Sequence, residues 1–368
     1  MKKLSLFIAL VLCFTSLPLT ARAAESITVF NWFDYIDESL ILQFEEESGI
    51  DVKYANFTTN EEMYAKLTAG AGDYDVIFPS DYIIERLIAD GGLAKLNLDN
   101  MPNVQGLREW LKKPAYDPTG EYSVAYIWGT VGILYNPDLM EEEVVSWKSI
   151  FDPQYQKGVF MLDSIRDSLG VALKYLGYSM NTRESAELEA AKQLLIRQKA
   201  DGIVKGYMVD EVKDKMIAGE APMAVMWSGD ALYAMSEADQ LRYVVPEEGS
   251  NVWVDGACIP ATSQHKEAAE KFIDFLCRPD VARKNMEAIY FATPIQAVVD
   301  GMSEEEKNNQ TLNPTQESIE RCEFFPDISG DMAMYDRMWM EVRGERRFAG
   351  PRNLSARLPV RPLRGLRA

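Results

Sequence analysis

The stretch SITVFNWFDYIDESLILQFEEESGIDVKYANFTTNEEMYAKLTAGAGDYDVIFPSDYIIERLIADGG, residues 26–92, switches between two periodicities. Ser26 to Asn31 alternates apolar and polar side chains and is rich in β-branched residues, the pattern of a strand. Asp37 to Glu47 puts Leu40, Ile41 and Phe44 on one helical face, and Gly49 supplies a stop. Asp51 to Ala55 reads as a second strand. Thr59-x-x-Glu62 is a capping box that opens a helix with Met63 and Leu67 turned inward. Asp75 to Phe78 is a short buried strand ended by Pro79-Ser80, and a helix runs on to Asp90 before Gly91-Gly92. The order βαβαβα predicts a parallel sheet with helices on both faces.

The same alternation continues downstream. Gly158 to Leu162 reads as a strand with a helix opening at Asp163. Ala186 to Arg197 is an amphipathic helix, Ala221 to Trp227 and Asn251 to Val254 are strands, and Lys266 to Leu276 and Met332 to Val342 are helices. At 368 residues, the chain is long enough for two domains.

The formal net charge of −19 is the sum of three unlike parts. Residues 1–23 carry +3, residues 344–368 carry +6, and the body between them carries −28. Such a body is unsuited to nucleic acid, which needs a basic face. The single histidine, His265, excludes a Ser-His-Asp triad at any other position and every multi-histidine zinc site, and it reads as an exposed loop residue. No metal or cofactor is expected.

Residues 1–23 read as a secretory signal peptide. Lys2-Lys3 is its basic start, Leu4 to Phe14 its apolar core and Ala21-Arg22-Ala23 its cleavage site, so cut after Ala23 the protein is exported to the periplasm. Export leaves Cys258, Cys277 and Cys322, read as buried free thiols. After Arg343 the composition turns to Arg, Pro, Leu and Gly without a period, and 344–368 is expected to be a disordered basic tail.

Open α/β sheets bind ligands at the carboxyl ends of their strands. The residues just beyond each strand here are a biased set. The first strand delivers Trp32, Asp34 and Tyr35; the third delivers Ser80, Asp81 and Tyr82. The 158–162 strand delivers Asp163, Arg166 and Asp167, the 221–227 strand Trp227, and the 251–254 strand Trp253 and Asp255. A carboxylate takes a charge-assisted hydrogen bond from an ammonium group. An aromatic face attracts the same cation and packs methylenes. Carboxylates at two ends with rings between them suit an elongated cation with an apolar middle. Each residue also has a plainer reading: Ser80 and Asp163 stand where helix caps belong, Asp255 where a turn residue would, and a tryptophan after a strand can simply be core.

At these residues the sequence resembles a known family, the periplasmic spermidine/putrescine-binding proteins of ABC importers. The resemblance runs from about Ile27 to Val342 through VFNWFDYI (29–36), MYAKL (63–67), YDVIFPSDY (74–82), YIWGTVGILYN (126–136), the 163–167 region, MWSG (226–229), VWVDGACIP (252–260) and FLCRPDVA (275–282). It implies a two-lobed α/β protein, each lobe a mostly parallel sheet flanked by helices, with the ligand in the cleft between lobes. One lobe is expected from 24–131 plus 254–299, the other from 132–253 plus 300–343. The resemblance also implies that Trp32, Tyr35, Tyr82, Trp227 and Trp253 pack a polyamine. Asp163, Asp167 and Asp255 would hold its amines, and Ser80 would line one end.

The sequence departs from the family pattern at several points. Phe33 replaces a small hydroxyl residue, Asp167 is one methylene shorter than the usual Glu, Ser164 replaces an acid, and Phe325 replaces a polar amide. Asp34 and Phe325 lean toward a diamine ligand, Tyr82 and Trp253 toward spermidine. The expected function is capture of putrescine or spermidine by a monomer, without catalysis, and delivery to a membrane permease. The alternatives are a binding protein for another small organic cation or a sugar, and a secreted glycosidase using Asp163 and Asp255 with Trp32 as a sugar platform.

Overall fold

A computed structural model describes residues 25–155 and 158–344. The signal-peptide reading of 1–23 and the tail reading beyond Gly344 lie outside the described residues. Nine strands form among them: β1 (Ser26–Trp32), β2 (Asp51–Phe57), β3 (Val76–Ile77), β4 (Ser123–Tyr135), β5 (Val159–Leu162), β6 (Val204–Met208), β7 (Met223–Trp227), β8 (Arg242–Val244) and β9 (Val252–Cys258). They hydrogen-bond in the order β2-β1-β3-β9-β4-β7-β5-β6, with β8 also on β4.

Strands β1, β2 and β3 run parallel, as the βαβαβα pattern requires. So do β5, β6 and β7. The seam between these groups is antiparallel, and there the mostly parallel expectation gives way to a mixed sheet. β9 opposes both β3 and β4, and β4 opposes β7 and β8. β4 makes the seam because of its length. It pairs with β9 through Thr130 and with β7 from Val131 onward, so one strand serves both halves of the sheet. Buried along nearly its whole length, it lacks the alternation by which a one-faced strand is recognised.

Local signals form as the residue types demand. Asp37 caps the Glu38–Ser48 helix by accepting from Ser39 N–H at 2.9 Å. Gly49 ends it at φ 70°, a left-handed conformation that favours glycine. Leu40 and Phe44 turn inward, and Phe44 meets the Phe272 ring edge-on at 5.0 Å. Truncating either side chain to alanine would cost about 2–5 kcal/mol. Thr59 caps its helix from the side chain, but the Glu62 carboxylate returns to Thr58 N–H, so the capping box closes one residue early.

One boundary differs with consequences for the site. The helix after β5 is capped by Ser164, not opened by Asp163, and runs Ile165–Tyr175. Cys258, Cys277 and Cys322 are free thiols, the first two buried, and His265 is exposed. None of the helices among the described residues is long and apolar enough to cross a membrane.

Candidate functional site

The ends of β1, β3 and β9 meet in space, and the candidate residues gather there. Asp255 forms an isolated bridge with Ser80, and Gly256 N–H donates to the Pro79 carbonyl at 3.0 Å. The Tyr35 hydroxyl donates to Asp255 Oδ2 at 2.6 Å. Tyr35 is itself held from behind: the Tyr126 hydroxyl donates to its carbonyl at 2.5 Å, and Asn285 donates to Tyr126 at 2.9 Å. Asp255 is therefore oriented by a chain of three side chains rooted in the helix Pro279–Ile289.

Asp255 is only 3 % exposed, and its Oδ1 has no hydrogen-bond partner. Burial pushes its carboxyl up to about 6, although the Tyr35 and Ser80 hydroxyls pull it down. A buried carboxylate with one oxygen free favours a cation that arrives with its own hydrogen-bond donors.

The rings form the walls. Trp32 donates its indole N–H to the Phe78 carbonyl at 2.8 Å and lies 6.2 Å from Tyr35, centroid to centroid. Trp253 stands edge-on to Phe291 at 5.4 Å, and Phe291 edge-on to Tyr35 at 5.5 Å. Two glycines permit this packing. A Cβ on Gly129 would sit 2.6 Å from the Trp253 ring, and one on Gly229 2.2 Å from Phe291. Trp227 closes β7 opposite Val131 and is half-buried.

Asn60 organises the Ser80 end. Its side-chain amide donates to Ser80 Oγ at 2.9 Å and to the Tyr82 hydroxyl at 3.0 Å, while its Oδ1 accepts from Ser80 N–H. On the far side, Asp167 is buried, accepts from Ser164 Oγ at 2.7 Å and from Asn251 Nδ2 at 3.2 Å, and has its carboxyl raised by burial against the pull of those bonds.

Two expected residues stand apart. Asp163 is exposed and ion-paired with Arg343 at 2.5 Å, at the end of the last helix, because Ser164 took the cap and turned Asp163 outward. Asp34 is an exposed turn residue at φ 51°, beside the 61 % exposed Phe33 and outside the hydrogen-bonded cluster.

Three residues without a role in the sequence reading belong to the cluster. Phe291 links Tyr35 to Trp253. Asn60 fixes Ser80 and Tyr82. Asp230, in the first turn of the Ser228–Glu237 helix, has a carboxyl raised to about 6 by burial, with Lys213 at 3.7 Å working the other way. Its charge is felt at the Tyr35 hydroxyl. Asp230 was within reach of sequence reasoning, since it lies three residues beyond the 221–227 strand. Phe291 and Asn60 carry no such signal.

Mixed strands around one long shared strand, with rings and buried carboxylates where the halves meet, define a solute-binding protein of two lobes. The chain belongs to the bacterial extracellular solute-binding protein family, whose pattern matches residues 39–314. It is 34% identical over 331 residues to the spermidine/putrescine-binding periplasmic protein of Salmonella typhimurium, covering 89% of this chain and 94% of that one. It is 31% identical to the putrescine-binding periplasmic protein SpuD of Pseudomonas aeruginosa, covering 88% and 94%. The crystal structure of the spermidine/putrescine ABC transporter substrate-binding protein PotD from Streptococcus pneumoniae superposes with a TM-score of 0.79 at 30% identity, covering 88% of this chain and 100% of that chain.

Proposed function

We propose that the protein captures a polyamine, putrescine or spermidine, in this cleft and hands it to the permease of an ABC importer, without catalysing a reaction. The observation that carries the reading is Asp255, a buried carboxylate aimed by Tyr35, with one oxygen unpartnered; the Tyr35 ring lies beside Trp32 and, through Phe291, near Trp253. One ammonium group meets Asp255 and the Ser80 hydroxyl, the methylenes lie against the rings, and the other ammonium meets Asp167 or Asp230. Enclosing each ammonium costs several kcal/mol, on the order of the desolvation penalty of a buried ion. The carboxylates therefore have to be in place before the lobes close.

The lobes divide as 24–131 with 254–299, and 132–253 with 300–343. The change of partner along β4 at Thr130–Val131 supports that division. Closure results from the ligand binding the closed arrangement better than the open one. The protein acts as a monomer. The basic start and A-x-A site of residues 1–23 support export by a cleavable signal, and the periplasmic names of the relatives support the destination.

A thermal-shift panel tests this reading. Putrescine or spermidine should raise the melting temperature in proportion to the logarithm of its concentration, while glycine betaine and maltose should not. A shift with maltose and none with either polyamine would replace the reading with a sugar-binding one.

A further inference from the structure

The helix Pro279–Ile289 ends on a residue ill suited to its backbone. Tyr290 closes it at φ 63° and ψ 12°, and its N–H donates to the Met286 carbonyl at 2.9 Å. That left-handed conformation crowds any residue with a Cβ, and glycine is the ordinary choice at such a cap. Among the described residues only Asp34 and Tyr290 adopt a positive φ without being glycine, and a bulky ring is the less suited of the two. A strained residue of this kind persists where its surroundings hold it in place.

The Tyr290 ring is held from the other half of the sheet. It stands edge-on to Tyr233, 5.6 Å between centroids at 82°. Tyr233 belongs to the Ser228–Glu237 helix that follows β7. The next residue, Phe291, lies against Gly229 of that same helix, so closely that a Cβ there would approach its ring to 2.2 Å. Gly229 and Tyr233 are four residues apart and share one helical face. Two consecutive residues therefore grip one helix at two successive turns. The grip extends to an acid on each side. Lys213 Nζ lies 5.6 Å from the centre of the Tyr233 ring and 3.7 Å from Asp230 Oδ1, in the first turn of the gripped helix. On the near side Phe291 meets Tyr35 at 5.5 Å, and Tyr35 donates to Asp255.

We propose that Tyr290 is a positioning residue of the ligand site: its ring clamps the Ser228–Glu237 helix through Tyr233 and so fixes where Asp230 stands relative to Asp255. The ligand touches neither tyrosine. The left-handed backbone is what carries the ring to Tyr233 while sending Phe291 into the cleft, so the strain is kept for the sake of the site. The affinity effect rests on the cleft being the polyamine site; the ring contact itself does not.

The test is a double-mutant cycle with Tyr290→Gly, Tyr233→Ala and the pair together, titrated with putrescine and spermidine. Each single variant should raise Kd by about tenfold, and the double variant by about the same tenfold instead of about a hundredfold. Tyr290→Gly should do so with a melting temperature at or above that of the wild type, because glycine takes the cap without strain. Tyr290→Phe, which keeps the ring, should bind as the wild type does. An unchanged Kd in Tyr290→Gly, additive effects in the cycle, or a Tyr290→Phe variant as weak as Tyr290→Gly would overturn the clamp. A Tyr290→Gly variant that loses stability along with affinity would also overturn it, making the residue a structural cap. If the wild type binds neither polyamine, the ligand reading fails, and urea unfolding of the four unliganded proteins decides the clamp. Non-additive losses in that cycle support the Tyr290–Tyr233 contact, and additive ones overturn it.

Discussion

Replacing Asp255 by Asn separates binding from stability. The side chain keeps its volume and can still accept from the Tyr35 hydroxyl, now 2.6 Å from the carboxylate. What disappears is the charge. A ligand ammonium enclosed in the cleft would be left without its counter-ion, a loss of about 3–5 kcal/mol when one partner of a buried pair is removed. Kd should therefore rise by about two to three orders of magnitude. Stability should move the other way. An ordinary aspartate titrates at 3.8, and Asp255 titrates at about 6 in the folded chain. The folded state thus binds the extra proton between those values, and stability falls as pH rises through that window. Above pH 6 the wild type carries the full cost of a buried charge, and Asn carries none. Calorimetric titration at pH 7.5, paired with a thermal melt of the unliganded proteins, reads both effects. The expected result is a melting temperature at or above that of the wild type, with binding nearly abolished. An unchanged Kd would remove Asp255 from the site, and a large drop in melting temperature would make it a structural residue instead.

Polyamine affinity should fall as pH drops through 6, because ligand binding needs Asp255 ionised. A group titrating near 6 is about ten times less ionised at pH 5 than at pH 7, so Kd should weaken about tenfold, more if Asp230 also meets the ligand; a flat profile would contradict the raised carboxyls. Gly229→Ala should displace the Phe291 ring, which a Cβ would approach to 2.2 Å. The overpacking should cost about 1–3 kcal/mol, seen as a lower melting temperature and weaker binding; a variant unchanged in both would show that the ring is free to move. Asn60→Ala should loosen Ser80 and Tyr82 together, each of which it holds by a hydrogen bond, and raise Kd by about tenfold or less; no change in Kd would make Asn60 dispensable to the site.

The first three strands and their helices were legible because each half-buried element carries its own period and its own stop, Gly49 and Gly91 among them. β4 was not, since a strand buried along nearly its whole length shows no alternation, and it joined the reading only through the resemblance of residues 126–136. Asp255, Tyr35, Ser80 and Tyr82 were legible from their place at strand ends, where the sheet topology brings them together. Asp163 stands apart from the cluster through a single residue of capping: Ser164 accepts the helix N–H, and the carboxylate before it pairs with Arg343. Phe291 and Asn60 reach the site across long sequence separations, through packing that no local pattern records.

Titrating putrescine and spermidine into the protein by isothermal calorimetry at pH 6, in two buffers of different ionisation enthalpy, bears most directly on the central claim. One polyamine per chain should bind, with a buffer-dependent heat that reports proton release from Asp255. Absence of heat with both polyamines at millimolar concentration would contradict the assignment, and binding without proton release would place the ammonium away from Asp255.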